Sequence, residues 1–142
     1  MGSLIKNNTV LESDEVTFLT LQEYLDSDNR PQAVWLDAGE EIEAIADFLD
    51  DITAIALNFP AFSDGRAYST AAVLRRHHNY TGEIRAIGDV RLDQLEQMAR
   101  CGFNAYQLAD GQNADQALKR IEGFSVSYQQ TIDRDPLFRH RA

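Results

Sequence analysis

The sequence predicts an α/β fold: a parallel sheet of four to five strands built from successive βα units and preceded by a short N-terminal hairpin. Three observations carry that expectation. Short apolar runs alternate with helical patterns from residue 33 onward. Each run ends in a polar turn rich in Asp, Asn or Gly, the residues that let a strand hand over to a helix. No linker-like stretch interrupts the series, so the 142 residues read as a single domain, 1–142, with a flexible basic tail at about 133–142. An open flavodoxin-like sheet and a half-barrel-like sheet both satisfy this pattern.

Leu4-Ile5 and Thr9-Val10-Leu11 flank Asn7-Asn8, which tolerate the positive φ of a tight turn, so the chain is expected to open as a hairpin. Thr20 followed by Glu23 fits a capping box, starting a helix over about Leu21 to Asp26. Arg30-Pro31 breaks the chain before the first buried strand, Ala33-Val34-Trp35-Leu36, which ends at Asp37. A helix is expected over 40–50, with Ile42, Ile45, Ala46 and Leu49 on one stripe and Glu40, Glu41 and Glu43 where the dipole favours acids.

A second strand follows over 53–59, then a helix over 67–78 with Ala71, Ala72 and Leu74 inward. Arg75-Arg76-His77-His78 closes that helix and complements its dipole. Adjacent histidines face different ways, so no metal site is expected there. A third strand over 83–87 leads to a helix over 92–101 that packs Leu95, Met98 and Ala99, with Gly102 as a left-handed C-cap. A fourth strand is expected over 104–108, a helix over 114–122, and a closing strand over 124–129, where apolar residues alternate.

Composition bounds the function classes. At 44% hydrophobic and 25% charged the chain is ordinary globular protein. No apolar run approaches the roughly 20 residues that span a bilayer, and the N-terminus lacks a signal-peptide pattern, so a cytoplasmic protein off the membrane is expected. The single cysteine forbids an internal disulfide; Cys101 lies near a helix C-terminus, where the dipole disfavours a thiolate, and reads as structural. Residues 1–64 carry 14 acids against Lys6 and Arg30, whereas residues 65–142 carry 9 acids against 11 bases. That acidic first half argues against nucleic-acid binding, which depends on neutralising phosphates, and suits either solubility or a basic protein partner.

In parallel α/β sheets the functional rim lies at the carboxyl ends of the strands. Here those ends carry Asp37, Asn58, Ser63-Asp64-Gly65-Arg66, Gly88-Asp89 with Arg91, and Asp110. Asp64, Gly65, Arg66, Tyr68, Ser69, Asp89 and Arg91 are the candidate ligand- or partner-binding residues, because an arginine fork beside a helix start suits sulfite, phosphate or a carboxylate. Asp37, Asp89 and Asp110 also fit simple helix capping, and Asp64 with Arg66 also fits a structural ion pair. Neither Gly-x-Gly-x-x-Gly nor Gly-Lys-Ser/Thr occurs, so no flavin, nicotinamide or nucleotide cofactor is expected.

Phe59-Pro60-x-Phe62-x-Asp64-Gly65-Arg66-x-Tyr68-Ser69, Gly82-Glu83-x-Arg85-Ala86-x-Gly88-Asp89-Val90, Asp93-Gln94-Leu95 and Ala99-Arg100-Cys101-Gly102-Phe103 follow one another in a fixed order. In this the chain resembles the bacterial family known as domain of unknown function 934, from roughly Leu4 to Arg139. The resemblance implies an oxidoreductase-linked role in sulfite reduction beside a nitrite/sulfite reductase. With no cofactor motif, the expectation becomes an accessory protein of assimilatory sulfite reduction that binds the nitrite/sulfite reductase or its electron donor. The alternative is a small enzyme or oxyanion-binding protein using the Asp64, Arg66, Tyr68 and Asp89 rim; whether the chain is an enzyme stays open. A homodimer is also expected, since exposed sheet edges tend to pair. The tail Arg134-Asp135-Pro136-Leu137-Phe138-Arg139-His140-Arg141 fits a dimer clasp, a partner tether or a frayed terminus.

Overall fold

The chain threads β1 (Leu4–Lys6), β2 (Thr9–Leu11), β3 (Leu19–Thr20), α1 (Leu21–Asp26) and β4 (Ala33–Leu36), then two 3₁₀ segments, Ile42–Ala44 and Ala46–Asp51. After these come β5 (Ala54–Phe59), α2 (Arg66–Arg76), β6 (Glu83–Gly88), a 3₁₀ turn at Leu92–Gln94 running into α3 (Leu95–Cys101), β7 (Ala105–Gln107) and α4 (Ala114–Asp133). The computed structural model describes residues 2–14, 16–27, 33–61 and 64–133, with 124–133 described by backbone alone. Arg30-Pro31, Phe62, Ser63 and the tail from 134 onward therefore lie outside the described residues.

The strands join one sheet in the order β2-β1-β7-β6-β5-β4-β3. From β3 to β7 all neighbours are parallel and follow chain order, while β1 pairs antiparallel with both β2 and β7. The sheet is thus mixed and seven-stranded, a correction to the purely parallel sheet of four to five strands. The difference has a physical cause: the hairpin does not stand apart but zips onto β7, placing Ile5 opposite Tyr106 and burying Leu4 and Ile5. Asn7 and Asn8 make its turn at φ 54° and 60°, as their side chains allow.

Sequential strand order without a reversal is the half-barrel arrangement, not the flavodoxin-like one. Crossovers of one hand then place the described connecting helices on one face. Val34, Leu36, Ile55, Leu57, Phe59, Ile84, Ala86 and Tyr106 point to that face and form the core with Ala71, Leu74, Leu95, Met98 and Ala117 of the helices. Alternate residues Trp35, Ala56, Asn58, Arg85, Ile87 and Gln107 necessarily point to the other face. Among the described residues no crossover helix lies on this second face.

Two expected elements differ. The helix over 40–50 is two 3₁₀ segments broken at Ile45, at φ −116° and ψ 3°. Glu40, Glu41, Glu43, Asp47, Asp50 and Asp51 crowd like charges onto adjacent turns, and the branched Ile42 and Ile45 disfavour a regular helix. Ile42, Ile45 and Leu49 still reach the core. The closing strand over 124–129 is instead the second half of α4. Its alternation concealed a helical period, because Ala117, Ile121, Phe124 and Tyr128 recur at spacings of four, three and four. The capping box forms as expected, with Glu23 N donating to Thr20 Oγ1 and Thr20 N donating to Glu23 Oε1. Gly102 caps α3 at φ 114°.

Candidate functional site

The rim at the carboxyl ends of the strands is built from paired charges. Asp64, in the turn before α2, accepts hydrogen bonds from the Arg66 backbone N–H at 3.0 Å and from its guanidinium at 3.0 Å and 2.6 Å. The Arg66 guanidinium so bonded holds the Asp64 carboxyl down at about 2. Asp89 and Arg91 repeat the same geometry after β6, Nε to Oδ1 at 3.0 Å and an Nη to Oδ2 at 3.2 Å. Each arginine thus closes its fork on the aspartate two residues before it. Asn58 donates to Asp37 at 2.9 Å, tying the ends of β5 and β4 together.

The remaining expected residues divide. Gly65 and Ser69 are exposed on α2 and the residue before it. Tyr68 turns toward the helical layer: its ring packs edge-on against Phe59 at 5.1 Å, and burial raises its phenol above its ordinary value. Its hydroxyl is buried without a hydrogen-bond partner among the described residues. Cys101 is half-buried against the same core, and burial raises its thiol likewise. Arg75, read as a dipole complement, donates to the carbonyls of Tyr80, Gly82 and Gly102, locking the end of α2 to the start of β6 and the end of α3.

A cavity of about 670 Å³ lies on the helix-free face of the sheet and opens at its carboxyl edge. Of the seven candidate residues, Asp89 lines it. Its floor is the side-chain row of Trp35, Ala56 and Arg85, which neighbour one another in register across β4, β5 and β6. Asn58, Ile87 and Gln107 stand one layer nearer the mouth. Ser13, Asp14, Val16 and Phe18 line the cavity on this face, and Asp14 and Phe18 lie against Arg85.

Arg85 is 4% exposed, so its charge must be met inside. Its guanidinium donates to Asp14 at 3.1 Å and 2.5 Å and to Glu83 at 2.8 Å, and the Phe18 ring lies 4.9 Å from Cζ. Lys6 bonds the same two carboxylates, at 3.1 Å to Asp14 and 2.8 Å to Glu83. Two cations and two anions alternate, so the cluster is internally neutral. The Arg85 guanidinium holds the Asp14 carboxyl at about 2, with Lys6 adding to the effect. Gly88, at φ 91°, sits where β6 passes Asn58 and Phe59: a Cβ would come 2.3 Å from the Phe59 carbonyl oxygen and 2.4 Å from Asn58 Oδ1. Glycine is required there by both dihedral and space.

The candidate list drawn from the sequence omitted Asp14, Trp35, Arg85 and Gln107. Their signal was present but weak. An arginine at the centre of Glu83-Ile84-Arg85-Ala86-Ile87 marks a strand whose second face is not simply apolar core. No such signal announces Asp14, which reaches Arg85 across 71 residues. Among the described residues no group of His, Cys, Asp and Glu is arranged to hold a metal ion, and no helix is long and apolar enough to cross a membrane.

No curated protein matches the chain. Residues 33–138 match the family described as "Bacterial protein of unknown function (DUF934)", and the chain belongs to that family.

Proposed function

We propose that this family member is an accessory protein of sulfite reduction that docks the nitrite/sulfite reductase or its electron donor through the crossover between β4 and β5. One observation carries the docking: Glu41, Glu43, Asp47, Asp50 and Asp51 are exposed there, and none of them pairs with a cation among the described residues. Five carboxylates left unneutralised on one short crossover make a local negative field that speeds encounter with a basic surface. The resemblance in the sequence supplies the identity of the partner. The oxyanion reading of the rim has less support, because Arg66 and Arg91 already engage Asp64 and Asp89.

Titration of the purified protein against the reductase, at low and high salt, tests this. Micromolar or tighter association that weakens at least about tenfold between about 50 and 300 mM salt is expected. The triple variant Glu43→Gln/Asp47→Asn/Asp50→Asn is expected to lose a similar factor at low salt. Association indifferent to salt and to these substitutions, or no association, overturns the proposal.

A further inference from the structure

We propose that the cavity on the helix-free face is a binding site for a small neutral aromatic molecule that carries a carboxamide or lactam edge. At about 670 Å³ it falls within the size range of small-molecule sites, and it opens at the carboxyl ends of parallel strands, where α/β sheets hold ligands. Phe18, Trp35, Pro60, Ile87 and the exposed Val16 give it apolar surface, and a flat ring laid on that surface removes it from water.

The charged groups of the lining require a neutral ligand. Arg85 gives its N–H groups to Asp14 and Glu83, Arg91 closes its fork on Asp89, and Asp110 also has a partner. A cation or an anion entering here would lose hydration without meeting an unpaired countercharge, which disfavours both, a sulfite-sized oxyanion included. The uncharged polar groups set the chemistry of the ligand's edge. Among the described residues the Trp35 indole N–H and the Ser13 hydroxyl make no hydrogen bond. Ser13 is exposed, and Trp35 Nε1 is not one of the sequestered polar atoms, so both donors are open to a solute. Asn58 and Gln107 each commit one amide N–H, to Asp37 and to the Gly2 carbonyl, and each keeps a carbonyl oxygen and a second N–H. The open set therefore holds donors and acceptors together, all uncharged. A carboxamide answers both with its own oxygen and N–H groups, while its ring covers the apolar surface. This site is separate from the docking crossover, whose inward residues Ile42, Ile45 and Leu49 pack on the opposite face of the sheet.

Trp35 is the single tryptophan of the chain, so its one indole N–H resonance in a proton–nitrogen correlation spectrum reports the cavity directly. The test titrates the full chain with benzamide, benzoate and benzamidine, which share a ring and a planar head and differ in charge. Benzamide is expected to shift the indole resonance saturably and to bind at least about tenfold more tightly than either charged probe. Gln107→Glu keeps the shape of the side chain and adds an unpaired charge to the lining. It is expected to weaken benzamide about fivefold and to bring benzamidine to at least equal affinity. Circular dichroism establishes that the variant is folded, and should it unfold, the ranking of the three probes on the wild-type chain decides alone. No saturable shift up to about 10 mM benzamide, a charged probe binding the wild-type chain as tightly as benzamide, or an unchanged ranking in folded Gln107→Glu overturns the proposal.

Discussion

Asp14 shows how one side chain couples the N-terminal segment to the sheet. Its carboxyl falls from an ordinary value of 3.8 to about 2 because Arg85 and Lys6 bond its charged form. A depressed carboxylate stabilises the fold above its unfolded pKa, and that contribution disappears as pH falls toward the folded value. The wild-type protein is therefore expected to lose stability between about pH 4 and pH 2. Asp14→Asn is expected to be less stable at pH 7, because it leaves Arg85 short of a buried partner, and to show a shallower loss over that acid range. Urea unfolding across pH checks both, and an unchanged acid slope in the variant contradicts the role given to Asp14. Much at this scale was legible in the sequence: the Thr20 and Glu23 box, the turn at Asn7-Asn8 and the Gly102 cap are local chemistry read directly from residue type. The partners of Arg85 were not, because a contact between residues 14 and 85 leaves no local trace.

At the scale of elements, the crossover between β4 and β5 trades regularity for charge. Ile42, Ile45 and Leu49 gave the right inward stripe, yet the acidic residues around them broke the expected helix into 3₁₀ segments. In a 3₁₀ helix residues three apart eclipse, which sets Asp47 against Asp50. The Glu43→Gln/Asp47→Asn/Asp50→Asn variant proposed to weaken docking is therefore expected to be the more stable protein, by a few tenths of a kcal/mol or about 1–2 °C in Tm. Thermal melting at low salt checks this, and a lowered Tm contradicts it. The second half of α4 was misread for the opposite reason. Phe124, Val126 and Tyr128 alternate as in a strand, and the sequence alone weights that pattern equally with the helical spacing from Ala117 to Phe124.

For the whole molecule, the succession of βα units located β4 to β7 but neither β3 nor the sheet the strands join. Strand order depends on which edges meet, and the decisive edge is β1 against β7, a pairing between the two ends of the series. That closure yields a sheet with two unlike faces: one under the helices, the other a cavity floored by Trp35, Ala56 and Arg85. It also sets the acidic crossover proposed for docking, whose inward residues pack on the helical side, apart from the cavity on the open side.

Hydrogen exchange of the chain, alone and bound to the nitrite/sulfite reductase, tests that division most directly. The account predicts slowed exchange across residues 41–51, with the turn and helix start at 64–69 and the loop at 88–91 unchanged. Protection confined to 64–69 and 88–91, with the crossover exchanging as in the free protein, would contradict it.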